Sequence, residues 1–417
     1  MIHLLAELRS VRQPPLMNRA ARMNNQGESI PKEGSVNKRD FLKTLGRGGL
    51  GLAAYSLIPV GDLPIAKRRE KKQKHWAWVT TDVKSSNDEW KKQFADMRQA
   101  GIDAILPEVY DSRHAYYASK HLPVKELWME RILPLAKTEG LEFHAWMWSM
   151  PCNIEEVRKQ HPEWFSVNRK GESAAEKPAY VDYYRFLCPS RPEVHQFIQT
   201  TVSELAQIET LDGIHLDYIR YPDVILAEGV QPKYGIVQDR EYADYDYCYC
   251  EVCRREFKER TGIDLLKLDD PTTSNEWRQF RYDRITHLVN DTLIPIAHKH
   301  KKLVTAAVFP NWEMVRQQWS EWKLDAVMPM LYNSFYNKDI EWIKEQTERG
   351  VKSLPDDIPL YSGLFVPQLS PEALTQAIEA SFEGGAEGVS LFSARAMTEA
   401  HWQSFSRAIK RQIPPMK

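Results

Sequence analysis

The sequence predicts a (β/α)8 barrel over residues 76–413, preceded by a disordered N-terminus with an export signal and a linker. Along this stretch, short apolar runs of strand character alternate with amphipathic segments whose apolar residues recur at the helical period. The stretch is about 340 residues long, which suits a fold that commonly spans roughly 200 to more than 400 residues. An open, doubly wound sheet would need a Gly-rich phosphate loop after an early strand, and the sequence has none there.

Eight strands, each followed by a helix, account for the barrel in chain order. The first helical segment shows the pattern, because Trp90, Phe94 and Met97 fall near one face of a helix. Helix ends are expected at Gly101, Gly140, Gly350 and Gly385. The predicted strands cover residues 76–81, 102–110, 141–148, 213–219, 303–309, 324–332, 358–366 and 388–392. The predicted helices cover residues 87–100, 124–140, 192–210, 274–300, 314–322, 339–349, 371–383 and 398–413.

The N-terminal residues have the character of an export signal. Residues 1–36 are expected to be disordered, 37–66 to form a twin-arginine-like signal, and 67–75 a basic linker. The signal is indicated by the pair Lys38-Arg39 and the apolar stretch that follows, which is too short and too rich in Gly for a stable membrane span. We therefore expect an exported, periplasmic or extracellular protein. A disordered cytosolic tail is the alternative.

Charge and composition narrow the classes of partner. The net charge is -1, so there is no overall electrostatic attraction for nucleic acid or for an anionic membrane. The chain carries 13 Trp and 18 Tyr. These residues fit either a large aromatic core or a cleft in which aromatic rings cover the C–H faces of sugars. A carbohydrate is the expected substrate, and no catalytic cofactor is expected.

The predicted fourth strand carries the most informative stretch, residues 211–222. His215 and Asp217 fall on one face of this strand, and Arg220 and Tyr221 follow just beyond its end. A carboxylate inside a buried apolar run must be paired or must point into a cleft where its charge is used. Because barrel enzymes place working groups at the C-terminal ends of the strands, Asp217 is the first catalytic candidate. A structural ion pair of Asp217 with Arg220 or His215 is the alternative.

Other strand ends supply further candidates around the same mouth. Glu108 is the candidate partner carboxyl, because hydrolysis of a glycosidic bond commonly uses one charged and one protonated carboxyl group. Asp82, Glu313 and Asp111 are alternatives, and Glu108 could instead pair with Arg113. The third strand alternates histidine and tryptophan, which could line the mouth or pack the core. The substrate-binding candidates are Tyr110, Arg113, His144, Trp146, Trp148, His215, Arg220, Tyr221, Asn311 and Tyr332.

A family resemblance follows from these motifs. Residues 187–194 and 212–222, the latter reading Asp-Gly-Ile-His-Leu-Asp-Tyr-Ile-Arg-Tyr-Pro, resemble the signature of the glycosyl hydrolase-like family ten. Three further stretches are similar to that family: 144–146, 307–310 and 325–332. The resemblance implies a TIM barrel and action on polysaccharide outside the cytoplasm, and some members act on peptidoglycan glycan strands. It also implies a key acidic residue at the end of the fourth strand, which falls on Asp217.

An insertion at about residues 223–272 contains a cysteine cluster. Cys248, Cys250 and Cys253 form a Cys-x-Cys-x-x-Cys pattern, a possible structural metal site with a distant Cys or His as the fourth ligand. Disulfides are the alternative for an exported protein, although the total of five cysteines leaves one unpaired. The cluster lies in a polar loop away from the strand ends, so we expect a structural role and no catalytic metal.

These observations support three functional hypotheses. The leading one is a glycoside hydrolase in which Asp217 is nucleophile or base and Glu108 the acid. The second is a carbohydrate-binding barrel without turnover, which would use the aromatic residues but need no pair of carboxyl groups. The third, a metal-dependent deacetylase or amidase, lacks a convincing set of His and Asp ligands at the strand ends.

Overall fold

A computed structural model of the chain describes residues 73–412. The predicted disordered segment, the predicted signal and residues 67–72 of the predicted linker lie outside the described residues. Residues 73–75, the remainder of that linker, are bonded to the barrel. The backbone N–H of Lys74 donates to the carbonyl of Glu387, and that of His75 donates to the Asp103 carboxylate at 3.0 Å.

The predicted barrel is confirmed. Eight parallel strands lie side by side in the order β6-β5-β4-β3-β2-β1-β8-β7. Two isolated parallel bridges, Val327 with Leu360 and Met330 with Gly363, join the two edges, so the barrel is nearly closed. The strands are β1 (Trp76–Val79), β2 (Ala104–Tyr110), β3 (Glu142–Trp148), β4 (Gly213–Asp217), β5 (Leu303–Val308), β6 (Ala326–Pro329), β7 (Tyr361–Phe365) and β8 (Gly388–Phe392).

Helices cover the outside of the barrel. The first shows how local sequence sets their bounds: Ser86 and Glu89 form a reciprocal capping box, and Gly101 ends the helix in the left-handed region at φ 109°. The helices are α1 (Asn87–Ala100), α2 (Trp128–Thr138), α3 (Glu155–Gln160), α4 (Pro192–Ala206), α5 (Glu251–Thr261), α6 (Asn275–His287), α7 (Ile294–Lys299), α8 (Glu341–Ser353), α9 (Pro371–Glu383) and α10 (Glu399–Arg411). A π-helical segment, Leu288–Leu293, joins α6 to α7 within the predicted helix 274–300.

Two helix predictions need correction. The predicted helix 314–322 is absent, and two short 3-10 turns, Trp312–Val315 and Trp319–Glu321, occupy the region. Arg316 between them takes a left-handed backbone conformation, φ 53°, which no α-helix accommodates. The predicted helix 124–140 begins only at Trp128, because Val124 forms a bridge with Ala115.

The barrel interior is packed in layers. Near the N-terminal ends of the strands, the rings of Trp76 and His144 meet edge to face with centroids 4.8 Å apart. One layer higher, Trp78 meets His215 at 5.6 Å in the same way. Among residues 73–412, no helix combines the length and apolar character needed to cross a membrane. The stacked layers leave the C-terminal ends of the strands as the place where polar side chains collect.

Candidate active site

Strands β2 and β4, which flank β3, each carry one carboxyl group toward their C-terminal ends. Glu108 on β2 lies opposite Trp146 on β3, and Trp148 on β3 lies opposite Asp217 on β4. All four side chains face the barrel interior, because residues two apart on a strand point to the same side. Strand β3 therefore stands between the two carboxyl groups and presents one tryptophan to each.

Asp217 is held by two N–H donors. Its Oδ2 accepts a hydrogen bond from the Trp146 indole at 3.0 Å, and its Oδ1 accepts one from the Tyr218 backbone at 2.7 Å. Tyr218 adopts a left-handed conformation, φ 50°, which is uncommon for an aromatic residue and is typical of functional sites. Burial raises the pKa of Asp217, while the Tyr218 N–H and the Arg220 charge act in the opposite direction. The net shift of the Asp217 pKa is upward, and these contacts limit the effect of burial.

Glu108 lies in a less polar environment. Its Oε1 accepts a hydrogen bond from the Trp148 indole at 2.9 Å, and Thr81 Oγ1 lies 3.4 Å from its Oε2. The Thr81 hydroxyl lies closer to the Glu108 carbonyl, at 2.6 Å, so it gives the carboxyl little support. Burial, aided by the charge of Asp111, raises the pKa of Glu108 to about 8. Glu108 is therefore mostly protonated at neutral pH.

The environments of the two carboxyl groups differ, because Asp217 accepts two N–H hydrogen bonds and Glu108 accepts one. Both residues are almost fully buried, with Glu108 5% exposed and Asp217 7% exposed. A carboxyl that holds its proton can act as a general acid, and one held by N–H donors can act as base or nucleophile. This is the combination that glycosidic bond cleavage requires.

Tyr332 is brought to the same place. Its hydroxyl is buried and has no hydrogen-bond partner. Burial raises the pKa of Tyr332 well above its usual range, and the negative charge of Asp217 adds to this effect. The Tyr332 ring lies 6.0 Å from that of Phe392, which lies 6.3 Å from Trp146. An unpartnered hydroxyl near Asp217 is a candidate for contact with a substrate.

Trp146 and Trp148 support the carboxyl groups and offer little surface of their own. They are 1% and 3% exposed, so their ring faces are not open to a sugar in this structure. Trp148 stacks on Tyr218 with centroids 4.4 Å apart, and the half-buried Tyr183 meets its edge at 5.9 Å. Tyr183 was not predicted from the sequence, because it lies in a loop with no strand-end signal.

Neither predicted histidine reaches the mouth. Trp78 donates its indole N–H to His215 Nε2 at 3.2 Å, so the ring proton is on Nδ1, 2.8 Å from Thr305 Oγ1. Both nitrogens are thus occupied, and burial lowers the pKa of His215 well below its usual value. His144 lies lower still, bonded to Glu142 at 3.2 Å. Both rings are fully buried in the barrel interior, so this structure does not bring them to the predicted substrate-binding mouth.

Arg220 and Tyr221 also turn away from the carboxyl groups. Arg220 pairs with Asp223 at 3.0 Å and is 3% exposed, so the predicted alternative pairing with Asp217 is wrong. Its guanidinium lies over the Phe309 ring, 4.7 Å from the centroid. Tyr221 is 1% exposed, and its hydroxyl has no hydrogen-bond partner. Both side chains are enclosed by protein in this structure.

The contacts of the remaining predicted residues are with groups other than the two carboxyls. The buried Tyr110 donates its hydroxyl to the Ser112 carbonyl at 3.2 Å. Asn311 lies 3.5 Å from the Arg349 guanidinium, on the loop after β5. Arg113 is exposed and lines an open groove of about 450 Å³ with His114, Asn153 and Arg185. Arg113 is therefore the most exposed of these three residues, Asn311 is partly exposed and Tyr110 is buried.

Among the described residues, one group could hold a metal ion. It consists of Cys188, Cys248, Cys250 and Cys253, all of them buried. No cluster of three or more metal-binding side chains is found at the strand ends in this part of the chain. That arrangement gives no support to a metal-dependent deacetylase or amidase, whose catalytic ion would sit at the barrel mouth.

Known proteins share this fold and sequence pattern. The glycosyl hydrolase-like 10 family matches residues 71–364. Glycosyl hydrolase YngK of Bacillus subtilis (strain 168) is 21% identical over 239 residues, 51% of this chain, and the chain spans only 38% of that relative's length. The β-amylase catalytic domain of Paenibacillus polymyxa covers 82% of this chain and 99% of its own, with TM-score 0.59 and 12% identity. The PgaB (BpsB) glycoside hydrolase domain of Bordetella bronchiseptica covers 81% and 97%, with TM-score 0.62 and 13% identity.

The two solved structures show the fold alone at this identity, whereas the family match extends over most of the described barrel. The family's pattern includes the end of the fourth strand, where Asp217 lies. This chain belongs to the glycosyl hydrolase-like 10 family.

Proposed function

We propose that the protein is a glycoside hydrolase that cleaves O-glycosidic bonds of a polysaccharide with Asp217 and Glu108. One observation carries the proposal: β2 and β4, on either side of β3, hold two buried carboxyl groups in different environments, with two N–H donors on Asp217 and one on Glu108, whose pKa is raised to about 8. Family membership and glycoside hydrolase neighbours of the same fold support it.

The proposed reaction uses the two groups in sequence. Glu108 donates its proton to the oxygen of the leaving sugar as the glycosidic bond breaks. Asp217, ionised, either attacks the anomeric carbon or takes a proton from the attacking water. We infer that the Tyr332 hydroxyl, which is buried near Asp217 without a partner in the protein, contacts the sugar when substrate is bound.

The test begins with a screen of polysaccharides for release of reducing ends. On the substrate found, Asp217→Asn and Glu108→Gln should each lower kcat by roughly 10²–10⁴-fold, the usual contribution of acid–base groups. Asp96→Asn is the matched control, because Asp96 pairs with Lys92 on the outer face of α1 and is far from the barrel mouth in the fold. Full activity of Asp217→Asn would refute the assignment.

A carbohydrate-binding barrel without turnover is the competing function. The small exposed fractions of both carboxyl groups favour it, since a catalytic pair must reach its substrate. Under this alternative, mass spectrometry over a long incubation would detect bound oligosaccharide and no shorter product. The affinity would then persist in Asp217→Asn.

We also propose that the protein acts outside the cytoplasm. It is supported by the Lys38-Arg39 pair and the apolar stretch that follows it. Cell fractionation should find the wild-type chain exported, and replacement of both basic residues by Gln should retain it in the cytoplasm. Equal export of the two chains would contradict a twin-arginine-like signal.

A further inference from the structure

Four of the five cysteines converge on one point beside the barrel. The Sγ atoms of Cys188, Cys248, Cys250 and Cys253 all lie within 4.8 Å of one another. Cys188 Sγ is 3.4 Å from that of Cys253 and 3.6 Å from that of Cys250. Every member is buried, with at most 3% exposed. Cys152 is also buried but does not belong to the group.

The sulfur spacing fits a shared metal ion better than disulfides. A disulfide joins two sulfurs at about 2.05 Å, and all five cysteines are free thiols in the structure. Four sulfurs around a tetrahedral zinc, each about 2.3 Å from the ion, would be roughly 3.8 Å apart. The two Cys188 distances, 3.4 and 3.6 Å, lie close to that edge length, and no pair of the four sulfurs is more than 4.8 Å apart.

The four ligands come from two separate parts of the chain. Cys188 precedes α4, whereas Cys248 and Cys250 lead into α5 and Cys253 lies in its first turn. A bound ion would therefore fasten the insertion after β4 to the segment between β3 and α4. The sequence alone could not choose between Cys152 and Cys188 as the distant ligand, because that choice depends on the path of both loops.

The surroundings are suited to negatively charged thiolates. The Val167 backbone N–H lies 3.3 Å from Cys248 Sγ, and the Arg191 guanidinium interacts electrostatically with Cys250 and Cys188. Cys250 is the N-cap of α5, so the positive end of that helix faces the group. The Tyr221 hydroxyl, buried near these sulfurs without a partner, is a further available donor. N–H and O–H donors around thiolates are typical of the supporting shell of a metal site.

We propose that Cys188, Cys248, Cys250 and Cys253 bind one Zn²⁺ ion in a closed, structural site. Four thiolates fill the tetrahedral coordination shell, so no position is open for water or substrate. Binding displaces the thiol protons to solvent and transfers no electrons. The ion fixes the insertion against the barrel, and Tyr221 connects this region to the end of β4, where Asp217 lies.

The first test is metal analysis of the whole protein purified without chelator or added metal. Wild type should contain close to one zinc per chain. A thiol-modifying reagent should release that zinc in parallel with the loss of four thiols. Cobalt substituted for zinc should give the strong visible bands and sulfur-to-cobalt charge-transfer absorption of a tetrahedral thiolate site.

Variants locate the ion without any activity assay. Cys188→Ser and Cys250→Ser should lose most of the zinc, whereas Cys152→Ser, which changes a buried cysteine outside the group, should keep it. If a variant does not fold, the wild-type release and cobalt spectra still decide the question. The proposal would be overturned by a disulfide among the four cysteines in unreduced peptides. Iron in place of zinc, or full zinc content in Cys188→Ser, would overturn it as well. The metal readout is independent of the proposed hydrolase activity.

Discussion

Trp146 donates its indole N–H to Oδ2 of Asp217 at 3.0 Å, inside the barrel and one strand away. Trp148, two residues further along the same strand, donates in the same way to Glu108 at 2.9 Å. A single strand thus sets the environment of both carboxyl groups. Because an N–H donor stabilises the charged form of a carboxyl, each tryptophan lowers the pKa of its own partner.

We expect substitutions of the two tryptophans to change the pH profile of kcat/KM in different ways. Trp146→Phe removes the donor to Asp217, so the pKa of Asp217 should rise and the acidic limb of kcat/KM should move to higher pH. The lost hydrogen bond to a charged group is worth about 1.5–3 kcal/mol, so kcat/KM near neutral pH should fall by roughly 10-fold or more.

Trp148→Phe is the matched comparison. It removes the donor to Glu108, so the pKa of Glu108 should rise further and the alkaline limb should move to higher pH. The two substitutions remove the same N–H from neighbouring positions on β3, and thermal unfolding would show whether the packing loss is equal. Identical pH profiles for the two variants would contradict the assignment of one carboxyl to each limb.

The second prediction concerns stability and pH. Folding raises the pKa of Glu108 from 4.5 to about 8, so the folded state holds a proton that the unfolded state releases. This bound proton stabilises the folded protein fully below pH 4.5, and its contribution to the free energy of unfolding is lost as pH rises through about 8. Glu108→Gln keeps an oxygen that accepts from Trp148 and cannot ionise. At pH 9 its free energy of unfolding, measured by denaturant titration, should therefore exceed that of wild type by on the order of a few kcal/mol.

The same variant supplies its own control at low pH. Below about pH 4.5, wild type and Glu108→Gln both carry a neutral side chain at this position, so their free energies of unfolding should agree to within about 0.5 kcal/mol. A stability difference that does not change between pH 4 and 9 would show that Glu108 is already ionised in the folded protein.

The fold was largely predictable because each unit carries its own local signals. The capping box at Ser86 and Glu89 and the left-handed Gly101 fix both ends of α1 within the chain itself. The predicted helix 314–322 failed for a tertiary reason, since the buried Arg316 guanidinium pairs with Glu241 in the insertion and its backbone is left-handed. An apolar pattern cannot report a distant ion pair of this kind.

The candidate site was predictable only in part. Asp217 and Glu108 could be selected because strand ends are where a barrel exposes polar groups. The hydrogen bond from Trp146 to Asp217 could not be predicted, because it depends on the register between β3 and β4, which the sequence does not specify. The pairing of Arg220 with Asp223 could not be predicted for a similar reason, because it depends on a turn whose direction only the folded loop defines.

The third prediction uses the unpartnered hydroxyl of Tyr332. Since this hydroxyl makes no hydrogen bond in the protein, Tyr332→Phe should leave the free energy of unfolding within about 0.5 kcal/mol of wild type, or raise it slightly. If the hydroxyl contacts the sugar, kcat/KM should nevertheless fall by roughly 10-fold.

Thr347→Val is a useful contrast, because the Thr347 hydroxyl is buried and bonded to Ser362 at 2.9 Å, so its loss should lower the free energy of unfolding. Unchanged kinetics in Tyr332→Phe would remove Tyr332 from the site.

The fourth prediction distinguishes a structural arginine from a substrate-binding one. Arg220→Met leaves the Asp223 carboxylate buried without its cation, so the free energy of unfolding should fall by about 3–5 kcal/mol. Adding Asp223→Asn removes the uncompensated charge and should restore part of that loss, which a double-mutant cycle would measure by denaturant unfolding. If Arg220 bound substrate, the single variant would instead keep its stability and raise KM. Because the guanidinium is enclosed by Phe309 and its aromatic neighbours, we expect the loss of stability, with KM of the folded fraction close to wild type.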